Sequence, residues 1–138
     1  MNTSKITVRF RVDLSPQCSI GIGKIELLEA IGRTGSISKA AREIGMSYRR
    51  AWMLIEDMKV NLDEPVVESI TGGVRGGGAS VTPFGKQIVT RYRHLELELQ
   101  RLARNQLGDL ASHAKSNAGW PTVSAVSTKR KLKLGSDA

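Results

Sequence analysis

One cysteine, two histidines and an aromatic content of 4% are the scarcest features of this 138-residue chain. Cys18 has no second cysteine with which to close an intramolecular disulfide. No histidine or acidic cluster stands near it at metal-ligand spacing, so it is expected to be a small apolar residue in a reducing compartment. Also missing is any stretch approaching the roughly 18 consecutive apolar residues of a membrane span. The opening MNTSKITVRFRVDL interleaves Lys and Arg where a signal peptide needs a continuous apolar core. The expected location is the cytoplasm, with no membrane partner. No Ser-His-Asp or Cys-His arrangement has a supporting frame, so no catalytic residue, metal or cofactor is expected and the chain does not read as an enzyme. The glycine-rich TGGVRGGGA lacks the Gly-Lys-Ser/Thr and following helix of a phosphate-binding loop.

Positive charge is abundant instead. The net charge of +8 and a pI of about 10.1 favour a polyanionic partner, which gains by releasing counterions from its phosphates. Length and composition suggest one domain over residues 1–110 and a basic, disordered tail over 111–138. In that tail Lys115, Lys129, Arg130, Lys131 and Lys133 face only Asp137, so it holds half of the net charge.

Ile6, Val8, Phe10 and Val12 alternate with Thr7, Arg9, Arg11 and Asp13, the period of a strand with one covered face. Its expected partner is the wing hairpin or the same strand of a second subunit. From Ile22 to Arg33 an amphipathic helix is predicted, with Ile25, Leu28 and Ile31 inward and Lys24, Glu26 and Arg33 outside. GSISKAAREIGMSYRRAWMLIEDM then reads as two short helices. Ser36 caps the first, Ala40 and Ala41 permit a close crossing, Gly45 suits the left-handed turn, Met46 plugs the core, and Ser47 caps the second. On that second helix Ala51, Leu54, Ile55 and Met58 face inward, leaving Tyr48, Arg49 and Arg50 near its exposed N-terminal end. A recognition helix meets base edges there. Trp52 is expected to be a half-buried packing residue.

VVESI and SVT read as strands joined by a glycine-rich wing at Gly72 to Gly78, with Arg75 at its tip. Thr82 and Pro83 open a long helix to about Leu107. Its seam of Phe84, Ile88, Tyr92, Leu95, Leu99, Leu102 and Gln106 is longer than one small domain uses. Tyr92, Leu95, Leu99 and Leu102 are therefore assigned to a homodimer interface. The fold expected is mainly α with a small β component: a winged helix-turn-helix with an N-terminal strand and a long C-terminal dimerisation helix. Ser36, Ser38, Lys39, Ser47, Tyr48, Arg49, Arg50 and Arg75 are assigned to double-stranded DNA.

The order and spacing of Ser36, Ala40, Ala41, Ser47, Tyr48, Ala51, Trp52, Thr71 to Gly73, Gly76 to Gly78, Thr82 and Gly85 resemble the N-terminal DNA-binding domain of the molybdate-responsive ModE regulators, a LysR-type winged helix. The resemblance covers about Ile25 to Leu99. It implies a dimeric, sequence-specific transcription regulator of molybdate-uptake or related metal genes. That family continues into molybdate-binding domains larger than the tail here, so this chain is not expected to bind molybdate directly. The fragment ARNQLG, Ala103 to Gly108, resembles the opening of such a domain, but is read as the end of the long helix. Two other functions fit the same motifs: an interaction partner that dimerises with a full-length relative, and an architectural protein indifferent to sequence.

Overall fold

The computed structural model describes residues 6–70 and 78–115. The wing residues 71–77, including Arg75, and the tail from 116 onward lie outside the described residues. An N-terminal hairpin of β1 (Arg11–Ser15) and β2 (Cys18–Gly21) leads into α1 (Ile22–Thr34), α2 (Ile37–Glu43) and α3 (Tyr48–Asn61). A second antiparallel pair, β3 (Val67–Ile70) and β4 (Gly78–Val81), precedes α4 (Pro83–Leu107) and a 3-10 helix, Gly108–His113. ARNQLG thus closes α4, as expected.

The N-terminal alternation is real, since Ile6, Val8, Phe10 and Val12 are partly covered while Thr7, Arg9, Arg11 and Asp13 are exposed. Its expected partner is corrected. β1 pairs with β2, from Arg11 opposite Gly21 to Ser15 opposite Cys18, through a turn at Pro16 and Gln17. Among the described residues it does not pair with the wing strands β3 and β4. The four residues of β2 bury Cys18 and Ile20, too short a run for periodicity to reveal.

The core is organised around α1. Ile25, Leu28 and Ile31 are buried as the spacing predicted, and Leu27 and Ala30 are buried as well. Each such side chain contributes roughly 1.5–3 kcal/mol when large and fully covered. Leu27, Ala30 and Ile31 pack with Ala40, Ala41, Ala51 and Ala79, so alanines line the crossings of α1 with α2 and α3. Ile25 joins Ile20 and Tyr92 against the hairpin, and Leu28 joins Met58 and Val66. A helix covered on several sides also buries Lys24, contrary to the amphipathic reading. Its ammonium donates to Ser19 O at 2.7 Å and pairs with Asp57 Oδ2 at 2.5 Å. Asp57 in turn accepts from Asn61 Nδ2 at 3.0 Å.

α4 is held at both ends of its covered region. Thr82 Oγ1 caps it by accepting from Gly85 N at 3.0 Å, and also donates to Pro65 O at 2.7 Å. Farther along, the Tyr92 ring stacks on Phe10 at 4.5 Å and its hydroxyl donates to Phe10 O. Gln100 accepts from Val8 N at 3.0 Å and donates to Ile6 O. Between these, Arg93 bridges Glu29 on α1, at 2.7 Å, and Glu96, at 2.8 Å.

The Arg93 hydrogen bond holds the Glu29 carboxyl below its ordinary pKa of 4.5, against the opposing effect of burial. A carboxylate depressed in the folded state stabilises the fold above its unfolded pKa and loses that contribution as pH falls through the folded value. Arg93→Gln should therefore be less stable than the parent by a constant margin at neutral pH. Below pH 4.5 the margin should shrink, as followed by denaturant unfolding across the acid range. A margin undiminished down to about pH 3 would contradict the pairing.

Candidate nucleic-acid interface

The helix-turn-helix is built locally as its sequence demands. Ser36 Oγ accepts from Lys39 N at 3.2 Å and Ser47 Oγ accepts from Arg50 N at 3.1 Å, so each serine satisfies one donor at the start of its helix. Gly45 adopts φ +70°, the left-handed conformation that lets the chain leave α2 and re-enter a helix three residues later. Met46 N bonds Ala41 O at 2.8 Å and its side chain packs on the alanine cluster, closing the turn from below.

These caps decide what is displayed. Ala51 and Met58 are buried and Leu54 and Ile55 partly so, which turns the opposite side of α3 to solvent. Tyr48, Arg49 and Arg50 are all exposed on its first turn. Ser36, Ser38 and Tyr48 converge with Ile37, Gly78 and Ala79 around a shallow depression of about 190 Å³, with Ser36 Oγ and Ser38 Oγ 3.1 Å apart. The base of the wing is fixed beside it, because Ala79 N donates to Gly35 O at 2.9 Å and β3 pairs with β4 from Val67 opposite Val81 to Ile70 opposite Gly78. Thus the start of α2, the start of α3 and the root of the wing share one surface.

Charge follows the same arrangement. From Ser36 to Arg50 the chain has Lys39, Arg42, Arg49 and Arg50 against the single acid Glu43. Glu43 is already engaged by Arg33, with Nε 2.7 Å from its carboxylate. Among the described residues Lys39, Arg42, Arg49 and Arg50 form no ion pair, which leaves a cationic surface uncompensated by those residues. No group of three His, Cys, Asp or Glu converges as a metal site among the described residues, and no helix there is long and apolar enough to cross a membrane.

Of the residues assigned from sequence, Ser36, Ser38 and Tyr48 line one depression, while Lys39, Ser47, Arg49 and Arg50 are exposed on the same two helices or at their caps. Arg75 lies outside the described residues. On α4, Tyr92 is buried and stacks on Phe10 of its own chain. Leu95 and Leu99 are partly covered, and Leu102 is 52% exposed. Met53 of α3 was missed as a surface feature and is 54% exposed. Trp52 beside it, expected to be half-buried, is 49% exposed but belongs to none of the three core clusters. The signal was present, since Trp52 and Met53 fall off the Ala51, Leu54, Ile55 and Met58 stripe.

Comparison with known proteins agrees with this geometry. Residues 22–86 match the bacterial regulatory helix-turn-helix protein family of the LysR type. The molybdenum transport protein ModE of Azotobacter vinelandii is 39% identical over 100 residues, covering 72% of this chain and 37% of that protein. The molybdenum-pterin-binding protein MopB of Rhodobacter capsulatus is 46% identical over 83 residues, covering 60% of this chain and 31% of that one. The chain thus spans about a third of the length of these relatives. In three dimensions it resembles the crystal structure of a MarR-family transcription regulator, with a TM-score of 0.50 at 18% identity, covering 86% of this chain and 76% of the other. That likeness concerns the winged-helix fold. Residues 22–86 are therefore a LysR-type helix-turn-helix domain, and over its N-terminal part the chain is a homologue of the ModE and Mop proteins.

Proposed function

We propose that this chain is a DNA-binding transcription regulator that inserts the N-terminal half of α3 into a major groove and acts on molybdate-uptake or related metal genes. The observation that carries the reading is the exposed, uncompensated pair Arg49 and Arg50 at the start of a helix whose opposite face is locked into the core. Arginine forks onto guanine O6 and N7 at such a position. Ser36, Ser38 and Lys39 stand where the phosphate backbone would pass and serve to position the helix. The choice of target genes rests on the names of the ModE and MopB relatives.

The active unit in this proposal is a homodimer. Its support is an open, largely apolar groove of about 690 Å³ between the hairpin and α4, to which Val12, Leu14, Ile20, Phe84, Ile88 and Leu95 contribute. Exposed Leu102 extends that surface along α4. Two copies place two recognition helices on a two-fold symmetric site, which predicts a palindromic operator.

The test is a titration of a duplex selected from a random pool. Arg49→Ala and Arg50→Ala should each cost about 1–3 kcal/mol in affinity for that duplex and relax preference at one base pair. Binding to unrelated DNA should change far less. An Arg49→Ala/Arg50→Ala double variant that binds the selected duplex as tightly as the parent would remove α3 from the groove.

A further inference from the structure

The surface of α3 contains more than arginine. Tyr48, Trp52 and Met53 are 55%, 49% and 54% exposed, so three of the large apolar side chains left in solvent fall within six consecutive residues. Scattered single exposures are ordinary, whereas a contiguous cluster marks a contact surface. Its occupant is indicated by its border. Arg49 lies within the cluster and Arg50 beside it, and neither is ion-paired among the described residues, so the patch suits a polyanion that also presents apolar groups. In duplex DNA the apolar feature of the major groove is the 5-methyl group of thymine.

We propose that Trp52 and Met53 read thymine methyl groups, making them specificity-determining residues next to the guanine contact of Arg49. The inference rests on the placement of α3 in the major groove proposed above. Spacing gives it a geometric form. Met53 is one turn beyond Arg49, about 6 Å along the helix axis. With base pairs stacked about 3.4 Å apart, that separation spans about two steps of a helix lying along the groove. A half-site therefore contains thymine about two base pairs from the base read by Arg49. Trp52, on the adjoining edge of the same turn, takes a neighbouring methyl.

Deoxyuridine tests this with the unaltered protein, because it removes the methyl group and leaves the base-pair hydrogen bonds intact. Each thymine of a duplex selected from a random pool is replaced in turn, and affinity is measured for the full-length chain. One or two positions per half-site should lose about fourfold, the expected effect of one buried carbon. In Trp52→Ala or Met53→Ala the thymine-to-uracil ratio should fall to one at that residue's position and persist at the other. Arg49→Ala should weaken binding overall yet keep both ratios; loss of a ratio in one apolar variant alone separates a methyl contact from altered duplex shape. Selective binding without any uracil effect, or a uracil effect unchanged in both variants, overturns the proposal and leaves the groove placement standing. A change of oligomeric state in Trp52→Ala without a methyl effect would likewise overturn it, assigning the patch to a protein contact. If no duplex is selected at all, the groove placement itself fails and this inference with it.

Discussion

Gly85→Ala should destabilise the protein by roughly 1–3 kcal/mol, although alanine is the better helix former by about 1 kcal/mol. A Cβ at this position would lie 2.5 Å from Val66 O and 2.7 Å from Val81 Cγ1. The nearer of these is backbone, held in place by its bond to Thr82 N at 3.0 Å, so it cannot swing aside like a flexible side chain. The added carbon would push the first turn of α4 away from the root of the wing. Gly32 provides the matched comparison. It lies inside α1, where a Cβ would meet only Val81 Cγ2 at an ordinary 3.9 Å. Gly32→Ala should stabilise by about 0.5–1 kcal/mol through the entropy of the unfolded chain. Opposite signs for one chemical change, measured by denaturant unfolding of both variants, form the expected result. A Gly85→Ala protein as stable as the parent would show that the junction of β3, β4 and α4 yields freely.

The second large effect is asymmetric across an ion pair. Asp57→Ala should cost about 3–5 kcal/mol, whereas Lys24→Met should be nearly neutral. The Lys24 side chain is only 9% exposed and Asp57 44%. Without Asp57 the buried ammonium keeps only Ser19 O as an acceptor among the described residues, and has little access to water. Without the ammonium, Asp57 remains hydrated and still accepts from Asn61, while methionine fills the volume of the lysine stem. Equal losses in the two variants would mean that water reaches Lys24 and that burial does not govern the pair. The pair joins α1 to the C-terminal half of α3, so Asp57→Ala should also lower the melting temperature of the recognition helix together with the whole domain.

Local chemistry carried most of what could be read in advance. Ser36, Ser47 and Thr82 are caps whose hydroxyls have defined backbone partners, and Gly45 marks a turn only a few residues can make, so the starts of three helices and the turn between two of them were legible. The displayed end of α3 followed from the inward spacing of Ala51, Leu54, Ile55 and Met58. What was illegible depends on distant partners. β2 exists because β1 folds back on it, and four residues carry too little periodicity to announce a strand. Lys24 looks like a surface cation until Asp57, 33 positions away, is brought over it. Tyr92 belongs to an apolar seam by its spacing, but spacing cannot say whether a partner chain or Phe10 covers it.

The clasp between the N-terminal segment and α4 has a consequence for the order of events during synthesis. Gln100 meets Val8 and Ile6 across 92 and 94 positions, and Tyr92 meets Phe10 across 82. At translation rates of about 5–20 residues per second, those partners emerge roughly 4–20 seconds after the segment they cover. During that interval Ile6 and Val8 leave the ribosome without their α4 partner, and Phe10 has only the early cluster of Ile20 and Ile25 to pack against. Arg9 and Arg11, set between them, keep one face of the waiting segment charged, which disfavours its pairing with a neighbouring nascent chain.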